Sequence, residues 1–201
     1  MTPISNSGEY FQESFHGLQA DELPISDSSF DECTFKNCML AKQKFHGCTF
    51  NACSFIDCDL SQVDFSDTHL ADVTFQSCKI VGVDWTSMKQ KPVLPVLTFI
   101  ESKLDFCSFF GVGVQELVLQ KCSLKEVDFR EAKLAKTVFD YSDLEGALFH
   151  ATDLSKTSFK GAQNYDINFE TCTLTGAQFS LPEALRLFAL LKIEILPMEQ
   201  V

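Results

Sequence analysis

Large apolar residues recur every five positions along this chain. Stepping from Phe30 gives Phe35, Leu40, Phe45, Phe50, Phe55, Leu60, Phe65, Leu70, Phe75, Ile80 and Trp85 without a miss. A second run steps from Phe99 through Leu104, Phe109, Val114, Leu119, Leu124, Phe129, Leu134, Phe139, Leu144, Phe149, Leu154 and Phe159. It goes on through Asn164, the one break in the pattern, to Phe169, Leu174 and Phe179. Two residues before most of these stands a small or β-branched residue, such as Cys33, Cys38, Val63, Thr68, Ala132 or Ser142. A period of five fits neither a helix, which repeats at 3.6, nor a strand, which repeats at 2. It describes a coiled ribbon with a large and a small residue turned inward per segment and polar residues between them.

Punctuation agrees with this. Gly47, Gly82, Gly111, Gly146, Gly161 and Gly176 each follow a large position by two, where a bend needing positive φ falls. All six prolines lie outside the two runs, as they must if coil-to-coil hydrogen bonds hold the ribbon. Four such segments close a 20-residue coil, so every twentieth residue should stack. Phe35, Phe55 and Phe75 form one expected column, and Phe109, Phe129, Phe149 and Phe169 another. The fold class predicted is an all-β solenoid of about seven coils, roughly 35 Å long at the spacing of adjacent strands.

The pattern fails in three places and so divides the chain. Residues 1–27 carry weak traces of the period and predict an irregular N-terminal coil or cap. Residues 28–181 form the β-helix, interrupted at 86–98 by a proline-bearing segment that should bulge as a loop; Met88, Lys89, Gln90 and Lys91 are its candidate contact residues. Residues 182–201 predict a short α-helical cap, with Ser180 and Glu183 in a capping box. Leu181, Ala184, Leu185, Phe188 and Leu191 share one face of that helix, and Ile193 begins a short apolar strand. So much apolar surface suggests a cap that also dimerises, through Leu181, Leu185, Phe188, Leu191 and Ile193.

Charge sharpens the picture. The net charge of the 201 residues is −12, which argues against binding nucleic acid or an anionic membrane directly. The acidity is concentrated in residues 1–85. No run of about 20 apolar residues is present, and no signal peptide, so a cytoplasmic location is expected. All nine cysteines occupy the small inward position, where they read as compact filler rather than metal ligands. His16, His46, His69 and His150 lack partners at catalytic spacing. The sequence predicts no catalytic centre, metal or cofactor.

The five-residue pattern resembles the pentapeptide-repeat family, whose members fold as right-handed quadrilateral β-helices. Within it the chain is similar to the topoisomerase-protecting members, the Qnr-type quinolone-resistance proteins and the albicidin-resistance type. The similarity rests on YFQESF before the first repeats, FDECTFKNC at their start, GVDWTS before the interruption and FSLPEALRLFALLKIEI at the end. The resemblance implies a homodimer whose acidic surface imitates duplex DNA, with DNA gyrase as partner and topoisomerase IV as a second target. Outward register and local density single out Asp57, Asp59, Asp64, Asp67, Asp72 and Asp84 for that surface. The alternative is a non-enzymatic scaffold that binds an unrelated protein through outward apolar residues, among them Ile56, Phe106, Phe110, Val118, Val138 and Leu148.

Overall fold

Each inward residue lies against its counterpart one coil further on, and the pairing is parallel throughout. Tyr10 pairs with Phe30, Phe15 with Phe35, Ile25 with Phe45, Phe30 with Phe50 and Phe35 with Phe55. The computed structural model describes residues 4–21, 23–88, 96–114 and 116–191. Over these the chain is an all-β solenoid of about eight turns with almost no helix. One sheet joins the strands Glu9–Phe11, Ser29–Asp31, Thr49–Asn51 and His69–Ala71. Another stacks Ser14–His16, Thr34–Lys36, Ser54–Ile56, Val73–Gln76, Leu97–Ile100 and Val118–Gln120. Elsewhere the same contact is made by single-residue bridges, as from Asp59 to Lys79 or Asp128 to Leu148.

Four inward columns fill the axis. The first runs through Tyr10, Phe30, Phe50 and Leu70, and the second through Phe15, Phe35, Phe55, Phe75, Phe99 and Leu119. Leu40, Leu60, Ile80, Leu104 and Leu124 make the third, and Phe45, Phe65, Trp85, Phe109, Phe129 and Phe149 the fourth. Rings within a column lie nearly parallel, 4.6 Å apart for Phe35 and Phe55, and meet the next column edge-on, as Phe30 meets Phe35 at 68°. Both are the offset and edge-to-face arrangements that ring quadrupoles favour. The stacking of like on like thus follows from the coil length.

Residues 9–26, expected to be irregular, make a regular first coil. Tyr10, Phe15 and Ile25 pair in register with the second coil, and Gln19 bridges Met39. The departures from the pattern, Glu13 and Leu18, are accommodated in this coil with Glu13 exposed and Leu18 packed against the core. This coil accounts for the eighth turn.

The interruption is narrower than the 86–98 expected. Phe75 pairs with Phe99, and Trp85 stacks on Phe109 at 5.6 Å, so the coil here takes 24 residues instead of 20. The chain leaves through a 3-10 turn, Trp85–Ser87, and Leu97 is already buried within a strand paired to Val73. Met88, expected in the loop, is buried in the core. Lys89, Gln90 and Lys91 lie outside the described residues.

At Asn164 the register slips. Its backbone is left-handed at φ +57, and its side-chain amide donates to Asp143 Oδ1 at 2.8 Å. An amide in the axis would lack partners, so the next residue turns in: Tyr165 is fully buried, 5.5 Å from the ring of Phe159 and 5.6 Å from that of Phe179. Phe169, expected under Phe149, is therefore displaced to the surface. The register is recovered by Phe179, which stacks on Phe159 at 4.9 Å.

The C-terminal helix is a 3-10 helix, Glu183–Leu191, rather than an α-helix. Its expected capping box is replaced by contacts to the last coil. Ser180 Oγ accepts from the Gly161 amide at 3.2 Å, and Glu183 Oε1 accepts from the Asn164 amide at 2.9 Å. The two residues that read as a cap thus bond to the coil that carries Gly161 and Asn164, and Leu187 packs against the core.

Candidate partner interface

Outside the interruption and the slip at Asn164, the bend after the inward residue is left-handed, whatever residue stands there. The six glycines of the pattern have φ between +64 and +74, and Glu32, Lys42, Asp57, Gln62, Asp67, Asp72, Phe106 and Tyr141 share that conformation. Asp and Asn enter this region more easily than most side chains. Asp57, Asp67 and Asp72 are therefore bend residues at φ +53, +55 and +53, fully outside the wall and exposed.

The other three candidates precede an inward residue and tie the bend together. Asp59 Oδ1 accepts from the Ser61 amide at 3.0 Å, Asp64 Oδ1 from Ser66 at 2.9 Å and Asp84 Oδ1 from Thr86 at 2.9 Å. The same bond recurs from Asp128 to Arg130 and from Asp153 to Ser155. Carboxylates at this place serve the fold as well as the surface.

Around the coil, five of the six acids lie together. Asp59 is on the third column, Asp64 and Asp84 occupy successive places on the fourth, and Asp57 and Asp67 stand at the bends that bound this pair of columns. Asp72 lies half a turn of chain from the bend between them. The acids thus cover one broad flank and one outlying bend rather than a single line.

Compensation by cations separates the two halves of the chain. In residues 96–191 Lys121 meets Glu101 at 2.9 Å, Lys136 meets Glu116 at 2.6 Å, and Lys125 bridges Asp143 and Glu145. Arg130 holds Asp128 at 2.8 Å, and its bond keeps that carboxyl below the ordinary range. Lys103 reaches the buried Asp105 at 3.1 Å. Among the described cations of residues 4–88, a lysine reaches a carboxylate only at Asp59, where Lys79 approaches to 3.2 Å. Burial there works against the carboxylate, but the bonds from Ser61 and Lys79 outweigh it and its pKa is lowered. His46 lies 3.9 Å from Asp67. Asp57, Asp64, Asp72 and Asp84 meet no described cation, so this flank carries uncompensated charge.

Other outward residues divide into two groups. Ile56, Val118 and Val138 are half-buried, and the last two are neighbours on one ladder. Phe106, Phe110 and Leu148 stand in solvent. At the C-terminal end Leu181, Leu185 and Phe188 are exposed. The side chain of Leu191 and all of Ile193 lie outside the described residues.

Among the described residues no group of three or more His, Cys, Asp or Glu is placed to hold a metal ion. All nine cysteines are buried and free. Burial pushes the thiols of Cys53, Cys107 and Cys122 up to about 12, which leaves them without the thiolate that reactivity requires. No described helix is long and apolar enough to cross a membrane.

Two family models match the chain, "Pentapeptide repeat region" over residues 28–94 and "Pentapeptide repeats (8 copies)" over residues 115–150. No curated protein matches the sequence. Among solved structures, one trypsin-treated variant of QnrB1, a plasmid-mediated fluoroquinolone resistance protein, aligns with TM-score 0.57 and 17% identity over 94% of this chain and all of that one. A second trypsin-treated QnrB1 variant aligns with TM-score 0.59 and 15% identity over 97% and 95% of the two chains. At these identities the likeness is one of fold. The cyanobacterial protein HetL, from Nostoc sp. strain PCC 7120, is more distant in shape, at TM-score 0.40 and 18% identity over 89% and 86%. The five-residue register, its two matching family models and the likeness in fold to QnrB1 agree: the chain belongs to the pentapeptide-repeat proteins.

Proposed function

We propose that this protein is a non-enzymatic mimic of duplex DNA that binds a type II topoisomerase. DNA gyrase is the main target, with topoisomerase IV as a second, and binding shields the enzyme from inhibitors of the quinolone or albicidin kind. The observation that carries the proposal is the flank of Asp57, Asp64 and Asp84, where carboxylates stand without the lysines that neutralise them elsewhere. DNA-handling enzymes hold their substrate with arrays of Lys and Arg. A stiff acidic surface competes for such arrays with little conformational entropy to lose. The likeness in fold to QnrB1, a fluoroquinolone resistance protein, directs the choice of enzyme.

In this reading the solenoid takes the right-handed, four-sided course of its family and works in the cytoplasm. The exposed Leu181, Leu185 and Phe188 join two copies through their C-terminal segments, with Leu191 and Ile193. Two stacks end to end approach the length of about 20 base pairs at ~3.4 Å each. The test is gyrase supercoiling with and without a quinolone, in the presence of the protein and of an Asp57→Lys, Asp64→Lys, Asp84→Lys variant. The unmodified protein should alter supercoiling or rescue it, and the variant should not. Equal behaviour of the two would exclude the acidic flank, and no effect of either would sink the reading.

A further inference from the structure

Phe106 stands out among the bend residues. It stands at a left-handed bend, φ +62, with 57% of its surface in solvent. The left-handed backbone is shared by bend residues of every kind in this fold, so what sets Phe106 apart is its exposed aromatic ring. The equivalent bends one coil before and two coils after are Gly82 and Gly146, so nothing in the stacking asks for an aromatic there. Tyr141 offers the contrast. It is also left-handed, but its ring lies over Gly161, where a Cβ would come within 2.6 Å of Cδ1. Tyr141 is nearly as exposed, at 53%, but it covers the Gly161 backbone of the next coil, whereas the bend one coil beyond Phe106 is Glu126, with no glycine for the ring to cover.

Phe106 has apolar company. Phe110, four residues on, is 42% exposed and lies under the Arg130 guanidinium at 5.6 Å. Leu148 is 47% exposed and follows Asp128 on the bridge ladder that runs from Asp84 through Ser108. That ladder belongs to the fourth column, which also carries Asp64. One flank therefore presents uncompensated carboxylates at one end and exposed apolar groups at the other.

We propose that Phe106, with Phe110 and Leu148 on the same flank, is an anchor for a protein partner whose surface sets an apolar pocket next to a cationic patch. The proposal rests on the topoisomerase reading, because the acids that adjoin the anchor are the ones that reading assigns to the enzyme. Charge selects this occupant. A second copy packed alongside in the same direction would bring Asp64 and Asp84 against their own kind, and an anionic lipid surface or nucleic acid would be repelled by them. The two parts of the flank divide the labour: exposed charges set the rate of encounter and its salt dependence, and a desolvated aromatic sets the lifetime of the complex.

Association and dissociation rates with purified gyrase, measured at three salt concentrations, test this with two variants. Phe106→Asn fits the left-handed bend and should unfold at or above the temperature of the unmodified protein. It should dissociate about 10–30-fold faster with its association rate and salt slope unchanged. The pair Asp64→Asn, Asp84→Asn should associate more slowly and with a shallower salt dependence. If the unmodified protein binds gyrase and Phe106→Asn dissociates no faster, the anchor is overturned while the topoisomerase reading stands. If the variant weakens only self-association, the patch belongs to a second copy and the proposal is overturned. Absence of any binding by the unmodified protein defeats the topoisomerase reading, and the anchor with it.

Discussion

The thiol of Cys58 donates to the carbonyl oxygen of Phe35, 3.4 Å away on the preceding coil. The relation recurs. Cys53 reaches Phe30, Cys78 reaches Phe55 and Cys122 reaches Phe99 in the same way, and hydroxyls replace thiols where Thr68 meets Phe45 at 2.7 Å and Ser142 meets Leu119 at 2.7 Å. Where the small inward position carries a thiol or hydroxyl, that group can span one coil as a donor, while Val63, Val73 and Ala132 fill the same place without one. Cysteine is more than apolar filler.

Cys58→Ser should accordingly leave stability within about 1 kcal/mol, since a stronger donor replaces a weaker one in the same place. Cys58→Ala removes the donor and leaves a small void, and should cost about 1–2 kcal/mol. Urea denaturation of the two variants separates the accounts. Equal losses would mean that volume alone matters.

Alkaline pH should destabilise the protein through the same residues. The thiols of Cys53, Cys107 and Cys122 are raised to about 12 in the fold, against about 8.5 in an unfolded chain. Their contribution is complete below the unfolded value and is lost as pH climbs from there towards 12. Each thiol should take away about 1.4 kcal/mol per pH unit within that window. Denaturation midpoints at pH 8 and pH 10 measure the loss, and Cys53→Ser should remove its share.

Asp105 should be the carboxylate whose loss hurts the fold most. Its side chain is 4% exposed, pairs with Lys103, and accepts from Ser123 Oγ at 2.6 Å and from the Lys125 amide at 3.2 Å. Asp105→Ala strands two donors and should cost about 2 kcal/mol. Lys103 is half exposed and can be solvated instead, which keeps the cost below that of a fully buried pair. A thermal midpoint equal to that of the unmodified protein would show that water replaces the lost acceptor.

Gly161→Ala should destabilise on two grounds. The bend is at φ +66, and the new Cβ would lie 2.6 Å from the ring of Tyr141. Strain and displacement of the ring together should cost about 1–3 kcal/mol. In the background Tyr141→Asn the steric part should vanish, leaving only the backbone part.

Among the acids, Asp59→Asn should weaken partner binding less than Asp64→Asn. Lys79 already compensates Asp59, whereas Asp64 meets no described cation. Association rates at low salt compare them, and an equal loss would show that the Lys79 pair opens on binding.

Much of the fold was legible because a period of five leaves few solutions. Twelve successive large apolar positions from Phe30 to Trp85 specify the coil length, and the coil length specifies what stacks on what. The first coil was harder to read, because Glu13 and Leu18 stand where the pattern calls for a small residue, and only the structure shows Glu13 turned to solvent. The slip at Asn164 was visible as a break, but its remedy was not: only packing decides that Tyr165 turns in and Phe169 turns out. The candidate acids were legible as outward residues. Which of them remain charged towards a partner depends on lysines one coil away, a relation set by the stack rather than by neighbours in sequence.

The left-handed bends carry a consequence for how such a surface can change. Because the backbone there is fixed by the coils on either side, glycine, aspartate, lysine and phenylalanine all follow the same path. Side chains at the bends can therefore be exchanged with little disturbance to the axis, each on a grid of five residues across and about 4.8 Å along. The molecule is a pegboard: its recognition pattern can be rewritten peg by peg, while the board, set by the inward residues, stays the same.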